Sequence, residues 1–216
     1  FTNRKHFSDI YINTKPDSIE VKNFLREIQK HNKHSCRYLL GPNYYLPHDK
    51  LKNLKKKNKK KNFFTFTFYN GGSGDLLIYK KIIKMILKSN TNKIKINLIV
   101  GTFSKRKNIE KYLGKNKSIN VIYNPKNIYK IYHNTDLLIS SAGVVTYESA
   151  YLNVPTLLIK MNSNQENSDK GFEDIGHFFV LEKKDLKYTK NFVNFLFTIK
   201  KNLKKIKNFI KSKKKK

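Results

Sequence analysis

The chain has 216 residues, 38% of them hydrophobic, so it can bury a sizeable core, and its single cysteine, Cys36, excludes a disulfide framework or a cysteine-based metal site. No apolar run approaches the ~20 residues that a membrane helix needs, and no signal peptide is visible, so we expect a cytoplasmic protein. The net charge of +31 suits a nucleic-acid partner, but the basic residues are almost all Lys rather than the Arg that nucleic-acid readers favour. Lys, Asn and Ile share AT-rich codons, so we interpret the charge as codon drift.

The first 50 residues predict two short strands, at 10–13 and 37–40, on either side of a helix at 18–30. A lysine-rich run at 51–62 follows, which we expect to be an exposed linker because like charges repel. The chain begins at Phe1 without methionine, and its opening resembles sequence from the middle of a domain. We therefore expect residues 1–50 to be the end of an N-terminal domain that begins upstream.

From residue 63 onward, apolar strands alternate with amphipathic helices. This alternation predicts βαβ units and a parallel sheet in an α/β domain, covered by helices on both faces. A short strand at 177–181 and an amphipathic helix from about residue 188, ending in a lysine tail, complete the pattern. The predicted strands are 63–68, 94–100, 119–123, 137–140 and 155–159, and the predicted helices are 75–88, 105–113, 127–133 and 146–152.

Small residues follow two of the predicted strands. Gly71, Gly72 and Ser73 come after the first strand, and Ala142 and Gly143 come after the strand at 137–140. Ligands of open parallel sheets bind beyond the carboxyl ends of strands, where glycine lets backbone N–H groups approach an anion at a helix N-terminus. The alternative is an ordinary glycine turn with a helix cap. The Gly-Lys-Ser/Thr signature of a Walker A loop is absent.

Four polar side chains accompany these turns. Thr146 lies in the first helical turn, where its hydroxyl could cap the helix or reach a phosphate, and Glu148 could favour the helix dipole or accept hydrogen bonds from both hydroxyls of a ribose. Asn164 and Gln165 follow a buried strand and could equally be a polar loop. The glycine turn at 71–73, the segment 142–148 and the pair Asn164 and Gln165 each follow a predicted strand. Together they predict a site for a nucleotide diphosphate.

The six histidines show no spacing expected of a metal site or a catalytic triad. Only His48, beside the loop at 41–47, has a position that suggests a function. The residues therefore identify no catalytic group.

Several segments together resemble the nucleotide-binding half of GT-B enzymes. They are the glycine loop at 71–73, the segments 124–133 and 136–143, Thr146, Glu148, and the residues 154–156 and 164–165. Within that superfamily the chain is most similar to the UDP-sugar hydrolases of the pseudaminic acid pathway. It is more distantly similar to the GlcNAc transferases that make the lipid-linked peptidoglycan precursor. The segment 39–46 also resembles the hydrolases, and the likeness spans about residues 37–182.

This resemblance implies an α/β, GT-B-type, Rossmann-like domain at 63–187 and a reaction in which water releases UDP from UDP-2,4-diacetamido-2,4,6-trideoxy-β-L-altropyranose. It implies no metal and no cofactor. The activating histidine of the family lies in a glycine-rich loop that nothing here matches, so we expect it upstream. The resemblance implies that Gly71, Gly72 and Ser73 contact one side of the diphosphate and that Ala142, Gly143 and Thr146 contact the other. It also implies that Glu148 contacts the ribose, residues 123–128 the uracil, and Asn164 and Gln165 the phosphates or sugar.

The chain departs from the family pattern at Val144, which stands where the family has a second glycine, and at Leu46-Pro47-His48, where the family often has Leu-Arg-Pro. Three alternatives stay open beside the hydrolase. One is a GT-B glycosyltransferase with a UDP-sugar donor, whose lysines at 55–61 could touch an anionic membrane without inserting. Another is a basic nucleic-acid-binding protein, and the third a decayed fragment that binds UDP or nothing. The oligomeric state and the sugar are not predicted.

Overall fold

The computed structural model describes residues 8–14, 36–54, 62–71, 76–89, 93–103, 116–160, 179–182 and 189–213, and six separate helical residues. Within these ranges it contains eight strands, five α-helices and a short 3-10 helix. The strands are β1 (Ile10–Asn13), β2 (Arg37–Leu40), β3 (Phe64–Tyr69), β4 (Ile94–Val100), β5 (Ile119–Tyr123), β6 (Leu137–Ser140), β7 (Thr156–Lys160) and β8 (Phe179–Glu182). The helices are α1 (Asp49–Lys52), α2 (Leu77–Lys88), α3 (Ile128–His133), α4 (Val144–Tyr151) and α5 (Thr189–Lys213), and the 3-10 helix is Pro42–Tyr44.

Six parallel strands form the main sheet, in the order β5-β4-β3-β6-β7-β8. Within this sheet the chain first forms β3, then adds β4 and β5 on one side of it, and then crosses back to place β6 on the other side of β3. The order of strands therefore reverses between β3 and β6, which is the point where open α/β sheets bind their ligands. This doubly wound sheet confirms the predicted α/β, Rossmann-like fold class.

Successive side chains of each strand point to opposite faces of the sheet, so each face has its own apolar core. In β3 the aromatic residues Phe64, Phe66 and Phe68 point to one face, where they pack with the apolar sides of α2 and α5. The other face is covered by α3 and α4, through a smaller cluster that includes Tyr132 and Val145. Burial on both faces explains why β3, β6 and β7 are apolar or threonine-rich along nearly their whole length.

A row of hydrogen-bonded polar side chains crosses the sheet on the face covered by α3 and α4. Asn120 donates to Asn97 at 3.4 Å, Asn97 donates to Thr67 at 3.4 Å, and Thr67 bonds the hydroxyl of Thr135 at 2.6 Å. Asn120, Asn97 and Thr67 are register partners on β5, β4 and β3. Because each side chain faces its partner, the buried polar groups of Asn97, Thr67 and Thr135 are satisfied.

A separate two-stranded parallel sheet of β1 and β2 lies before the main domain. It contacts α4 of that domain, because the hydroxyl of Tyr147 donates to the carbonyl of Thr14 at 2.8 Å and the ring of Tyr147 stacks on Tyr45 at 5.0 Å. Helix α1 crosses the boundary predicted at residue 50, and its Leu51 is only 1% exposed. The first residues of the predicted exposed run are therefore folded, and 55–61 lie outside the described residues.

Five strands, β1, β2, β4, β5 and β6, have the bounds predicted from sequence. Helix α4 begins at Val144, two residues before the predicted start, because the turn at Gly143 already closes the first helical hydrogen bonds. Most of the helices predicted at 18–30 and 105–113 lies outside the described residues. No helix that the structure describes is both long enough and apolar enough to cross a membrane.

Candidate functional site

The carboxyl ends of β3 and β6 are neighbours, because Tyr69 and Ser140 are paired in register. The hydroxyl of Ser140 donates to the carbonyl of Tyr69 at 2.7 Å, which fixes the two strand ends to each other. The turns that follow, at Gly71 and at 141–143, therefore project from the same edge of the sheet. The two small-residue turns of the sequence meet at the point where the strand order reverses.

A cavity of about 240 Å³ opens between these turns. Four predicted site residues line it: Gly71, Ala142, Gly143 and Glu148. The structure thus brings together residues that are up to 77 positions apart in the chain. The other lining residues are Tyr69, Ile128, Tyr132, Ser141, Val144 and Val145.

The backbone at the cavity has the properties that an anion site needs. Gly71 has a φ of 70°, a left-handed conformation that favours glycine, and a Cβ added to Gly143 would meet nothing within 4 Å, so the approach to the turn is open. Helix α4 starts at this turn, and its N-terminus carries a partial positive charge.

Thr146 supports the helix rather than lining the cavity. Its side chain is fully buried, its hydroxyl accepts a hydrogen bond from the N–H of Gly143 at 3.3 Å, and its own N–H donates to the carbonyl of Gly143 at 3.0 Å. The Thr146 hydroxyl therefore caps α4 in this structure, and its contact with a phosphate stays a prediction. Val144, by contrast, is 63% exposed at the cavity wall.

Glu148 lies one turn inside α4, half-buried at the cavity. Burial raises the pKa of its carboxyl above the ordinary value, and a hydrogen bond from the hydroxyl of Tyr129 and the nearby His48 partly oppose that rise. This carboxylate has lost part of its water, and among the described residues it forms no ion pair. It is therefore poised to accept further hydrogen bonds.

Tyrosines surround this carboxylate. Burial and the Glu148 charge raise the pKa of Tyr45 to about 12 and also raise those of Tyr69, Tyr129 and Tyr132, so all four stay protonated at neutral pH. The sequence analysis missed this cluster. The available signal was the three-residue spacing of Tyr129 and Tyr132, which puts both on one side of a helix.

His48, the one histidine with a positional argument, lies beside the cluster. Its Nδ1 accepts a hydrogen bond from the N–H of Lys50 at 3.0 Å, which caps α1, and its ring is 5.7 Å from that of Tyr129. The His48 ring is thus near Glu148 but is held by its own helix. Its position joins the 41–48 segment to the cavity.

The remaining predicted site residues, Gly72, Ser73, Asn164 and Gln165, lie outside the described residues. Among the residues that are described, no group of three or more His, Cys, Asp or Glu side chains is placed to hold a metal ion.

A doubly wound α/β sheet with a cavity at its switch point is the architecture of Rossmann-like, ligand-binding domains. Residues 66–216 match the glycosyltransferase family 28 C-terminal domain. The match covers more than half of the chain, so the chain belongs to that family.

Solved structures with a similar fold include sugar transferases. The pneumococcal O-GlcNAc transferase GtfA, in complex with UDP and GlcNAc, superposes with a TM-score of 0.60 over 95% of this chain and 41% of its own, at 10% identity. MurG of Acinetobacter baumannii superposes with a TM-score of 0.52 over 75% of this chain and 46% of its own, at 16% identity. The spinosyn rhamnosyltransferase SpnG with thymidine diphosphate superposes with a TM-score of 0.52 over 72% of this chain and 42% of its own, at 8% identity. At these identities the likeness establishes the fold.

An uncharacterized protein of Methanocaldococcus jannaschii is 26% identical over 169 residues, which are 74% of this chain and 34% of that protein. The chain therefore spans about a third of the length of the curated relative it matches, and under half of each of these three solved structures.

Proposed function

We propose that this chain is the donor-binding part of a glycosyltransferase that uses a UDP-sugar. The observation that carries the proposal is the cavity at the β3–β6 switch point, where open backbone turns, a helix N-terminus and a half-buried carboxylate meet. Membership of a glycosyltransferase family supports it. The family match favours the transferase over the UDP-sugar hydrolase that the sequence resembles.

Each part of the cavity matches one part of a nucleoside diphosphate. Gly71 on one side and Ala142 and Gly143 on the other present backbone to the diphosphate, and the N-terminus of α4 attracts its charge. Glu148 accepts hydrogen bonds from the ribose. Ile128 provides an apolar edge for the uracil.

This arrangement would also assist the reaction. When the sugar leaves UDP, negative charge grows on the β-phosphate, and fixed backbone dipoles stabilise that charge without reorganising. Such a step needs no metal. Among the described residues we assign no group that activates the acceptor.

Hydrolysis of a UDP-sugar is the second candidate, with the pseudaminic acid precursor as substrate. It is supported by the likeness of the segment at 39–46 to the hydrolases, and His48 and Tyr45 bring that segment against the cavity cluster. The two candidates share the donor site and differ in the acceptor, which is water in one and a sugar or lipid alcohol in the other.

Calorimetry tests the shared part of the proposal. UDP is titrated into the full chain, with thymidine diphosphate and ADP as controls, and selective binding of UDP is the expected result. Equal binding of ADP would contradict the assignment of the base. Release of UDP from UDP-sugars with and without added acceptor alcohols then separates transfer from hydrolysis.

A further inference from the structure

A hollow of about 370 Å³ opens at the amino-terminal edge of the main sheet, the edge opposite the switch-point cavity. Most of its lining residues lie just before or at the start of β3, β4 and β6, and the others are Lys200 and Leu203 of α5. Its volume is in the range of sites that hold small organic molecules. Nothing in the proposed function uses this hollow.

The hollow carries an excess of positive charge. Lys93 and Lys200 line it, and neither forms an ion pair with any residue that the structure describes. Its carboxylate, Asp136, is already engaged, because Oδ2 accepts from the N–H of Thr65 at 3.0 Å and Oδ1 lies 3.5 Å from Nζ of Lys207. Two ammonium groups are therefore left to attract an anion.

Aromatic rings hold one of these ammonium groups in place. Nζ of Lys200 lies 5.9 Å from the ring centroids of both Phe64 and Phe197. Such contacts orient a cation without cancelling its charge. The 25 residues of α5 include no Asp or Glu, so the helix offers Lys200 no acidic partner of its own.

The backbone of Lys93 is strained. Its φ is 68°, a left-handed conformation that is unfavourable for residues with a Cβ and is tolerated best by Gly and Asn. Its carbonyl accepts from the N–H of Phe64 at 2.8 Å, where pairing between β3 and β4 begins. That hydrogen bond uses only the backbone, so it does not explain why the residue is Lys. Strained residues of this kind are common at functional sites.

We propose that the hollow binds an organic phosphate, with the phosphate group between Lys93 and Lys200 and the carbon part against Phe63 and Leu203. Phe63 is 53% exposed, so its ring is open to a ligand. A phosphate monoester carries nearly two negative charges at neutral pH, which matches two ammonium groups better than a carboxylate does. Both soluble phosphate esters and the headgroup of phosphatidic acid have this chemistry.

A nucleic-acid backbone matches the hollow less well. Each of its phosphates carries a single charge, and readers of nucleic acid favour Arg, which is absent from the described lining. The inference is also independent of the proposed function, because the hollow and the donor cavity lie at opposite edges of the sheet.

Calorimetry with phenyl phosphate tests the inference on the full chain, with and without UDP. The wild type is expected to bind the probe equally well in both cases. Lys200→Gln should weaken binding about tenfold, the value of a hydrogen bond to a charged group. Lys93→Asn should weaken it similarly and unfold at the same temperature as the wild type or a higher one, because Asn tolerates the left-handed backbone.

Lys190→Gln is the matched control. Lys190 is exposed on the same helix, and it lies about 15 Å along the axis from Lys200. The variant removes the same charge outside the hollow, so its affinity for phenyl phosphate should change by less than about twofold. The distance exceeds the screening length at physiological salt.

Co-sedimentation distinguishes the two sources of phosphate. Phosphatidylcholine vesicles with and without phosphatidic acid are mixed with the wild type, Lys200→Gln and Lys190→Gln. Binding that needs both phosphatidic acid and Lys200 would identify the ligand as a lipid headgroup. Binding of phenyl phosphate without vesicle binding would identify it as a soluble ester.

Four results would overturn the inference. The first is that the wild type binds no phenyl phosphate. The second is that Lys190→Gln weakens binding as much as Lys200→Gln, which would mean diffuse attraction to the whole surface. The third is that a short DNA duplex displaces the probe and binds less tightly to Lys200→Gln than to Lys190→Gln, which would make the hollow a nucleic-acid contact. The fourth is that Lys93→Asn binds the probe as the wild type does. None of them bears on UDP binding, so the proposed function is tested separately.

Discussion

Glu148 is the residue at which stability and the proposed function oppose each other. Its folded pKa is raised, chiefly by burial, so the native state holds the proton more tightly than the unfolded state does. The sign of the linkage follows directly. Its contribution to stability is fully present below the ordinary carboxyl pKa of about 4.3 and is lost as the pH rises through the raised folded value.

Glu148→Gln should therefore be more stable than the wild type at neutral pH, and the difference should disappear as the pH falls below the ordinary carboxyl value. The same variant should bind UDP about tenfold more weakly, because hydrogen bonds to a charged acceptor are worth about 1.5–3 kcal/mol. Thermal melts across pH and calorimetry measure the two effects. Unchanged UDP affinity would show that the carboxylate does not hold the ribose.

Val144 offers a second test at the residue scale. Its side chain is 63% exposed at the cavity wall, in the first turn of α4. Val144→Ala removes two methyl groups near the proposed diphosphate position and improves helix propensity. We expect UDP to bind more tightly and uridine, which lacks phosphates, to bind as before. An equal change for both ligands would place Val144 away from the phosphates.

Individual residues differ in how well the sequence revealed them. Gly71 and Glu148 were recognisable because they follow strands in the order that a nucleotide site requires. Tyr132 was not, because an aromatic residue on a short helix is usually core, and only the folded structure shows that its hydroxyl has no hydrogen-bond partner among the described residues. The sequence left two roles open for Thr146; the structure shows the hydrogen bond of the helix cap, and contact with a phosphate stays a prediction.

At the scale of elements, the link between the β1–β2 sheet and α4 depends on few contacts. The hydroxyl of Tyr147 bonds the carbonyl of Thr14, and its ring stacks on Tyr45. Tyr147→Phe keeps the stack and removes the hydrogen bond, at a cost of about 1 kcal/mol. Tyr147→Ala removes both and should cost more, since an aromatic pair contributes about 0.5–1.5 kcal/mol beyond its buried area.

Amide hydrogen exchange separates these effects. The N–H of Gly41, bonded to the carbonyl of Asn13 at 2.8 Å, should exchange faster in Tyr147→Phe and faster still in Tyr147→Ala, whereas the buried amides of β3 should change little. Equal exchange in all three proteins would mean that α4 does not hold the β1–β2 sheet.

Strands were easier to predict than helix starts for a physical reason. A parallel strand such as β4 is buried along nearly its whole length, so the sequence marks it by a largely apolar run that ends where polar or small residues begin. The start of α4 depends on hydrogen bonds within the 143–146 turn, and the sequence there favours helix equally at Val144 and Thr146. The polar row through Asn97 was not visible either, because it requires the register of three strands.

At the scale of the whole molecule, alternation of strands and helices predicted a parallel sheet but not its order. The crossover from β5 back to β6 creates the cavity, and no local pattern encodes it. The family match supplies the missing information, because it places residues 66–216 in a domain of known type. The sequence therefore singled out two turns whose described residues line one cavity, while the topology explains why they meet.

The net charge of +31 is the other property of the whole molecule, and its distribution matters more than its size. None of the described residues that line the switch-point cavity is Lys or Arg. A second hollow of about 370 Å³, near the start of β3 and β4, is lined by Lys93 and Lys200. In the described chain, the proposed UDP site therefore attracts its anion through backbone dipoles, and lysines contribute to the surface elsewhere.

This separation predicts different responses to salt. Raising the salt from about 0.15 to about 0.5 M should change the affinity for UDP by less than about threefold, because fixed dipoles at short range are screened little. Association with a short DNA duplex should fall much more steeply, since it releases one counterion for nearly every phosphate neutralised. Calorimetry at both salt concentrations measures UDP, and fluorescence anisotropy measures DNA. If saturating DNA displaced UDP, or if both affinities fell together, the lysines would be part of the nucleotide site, and the charge would be functional rather than a product of codon drift.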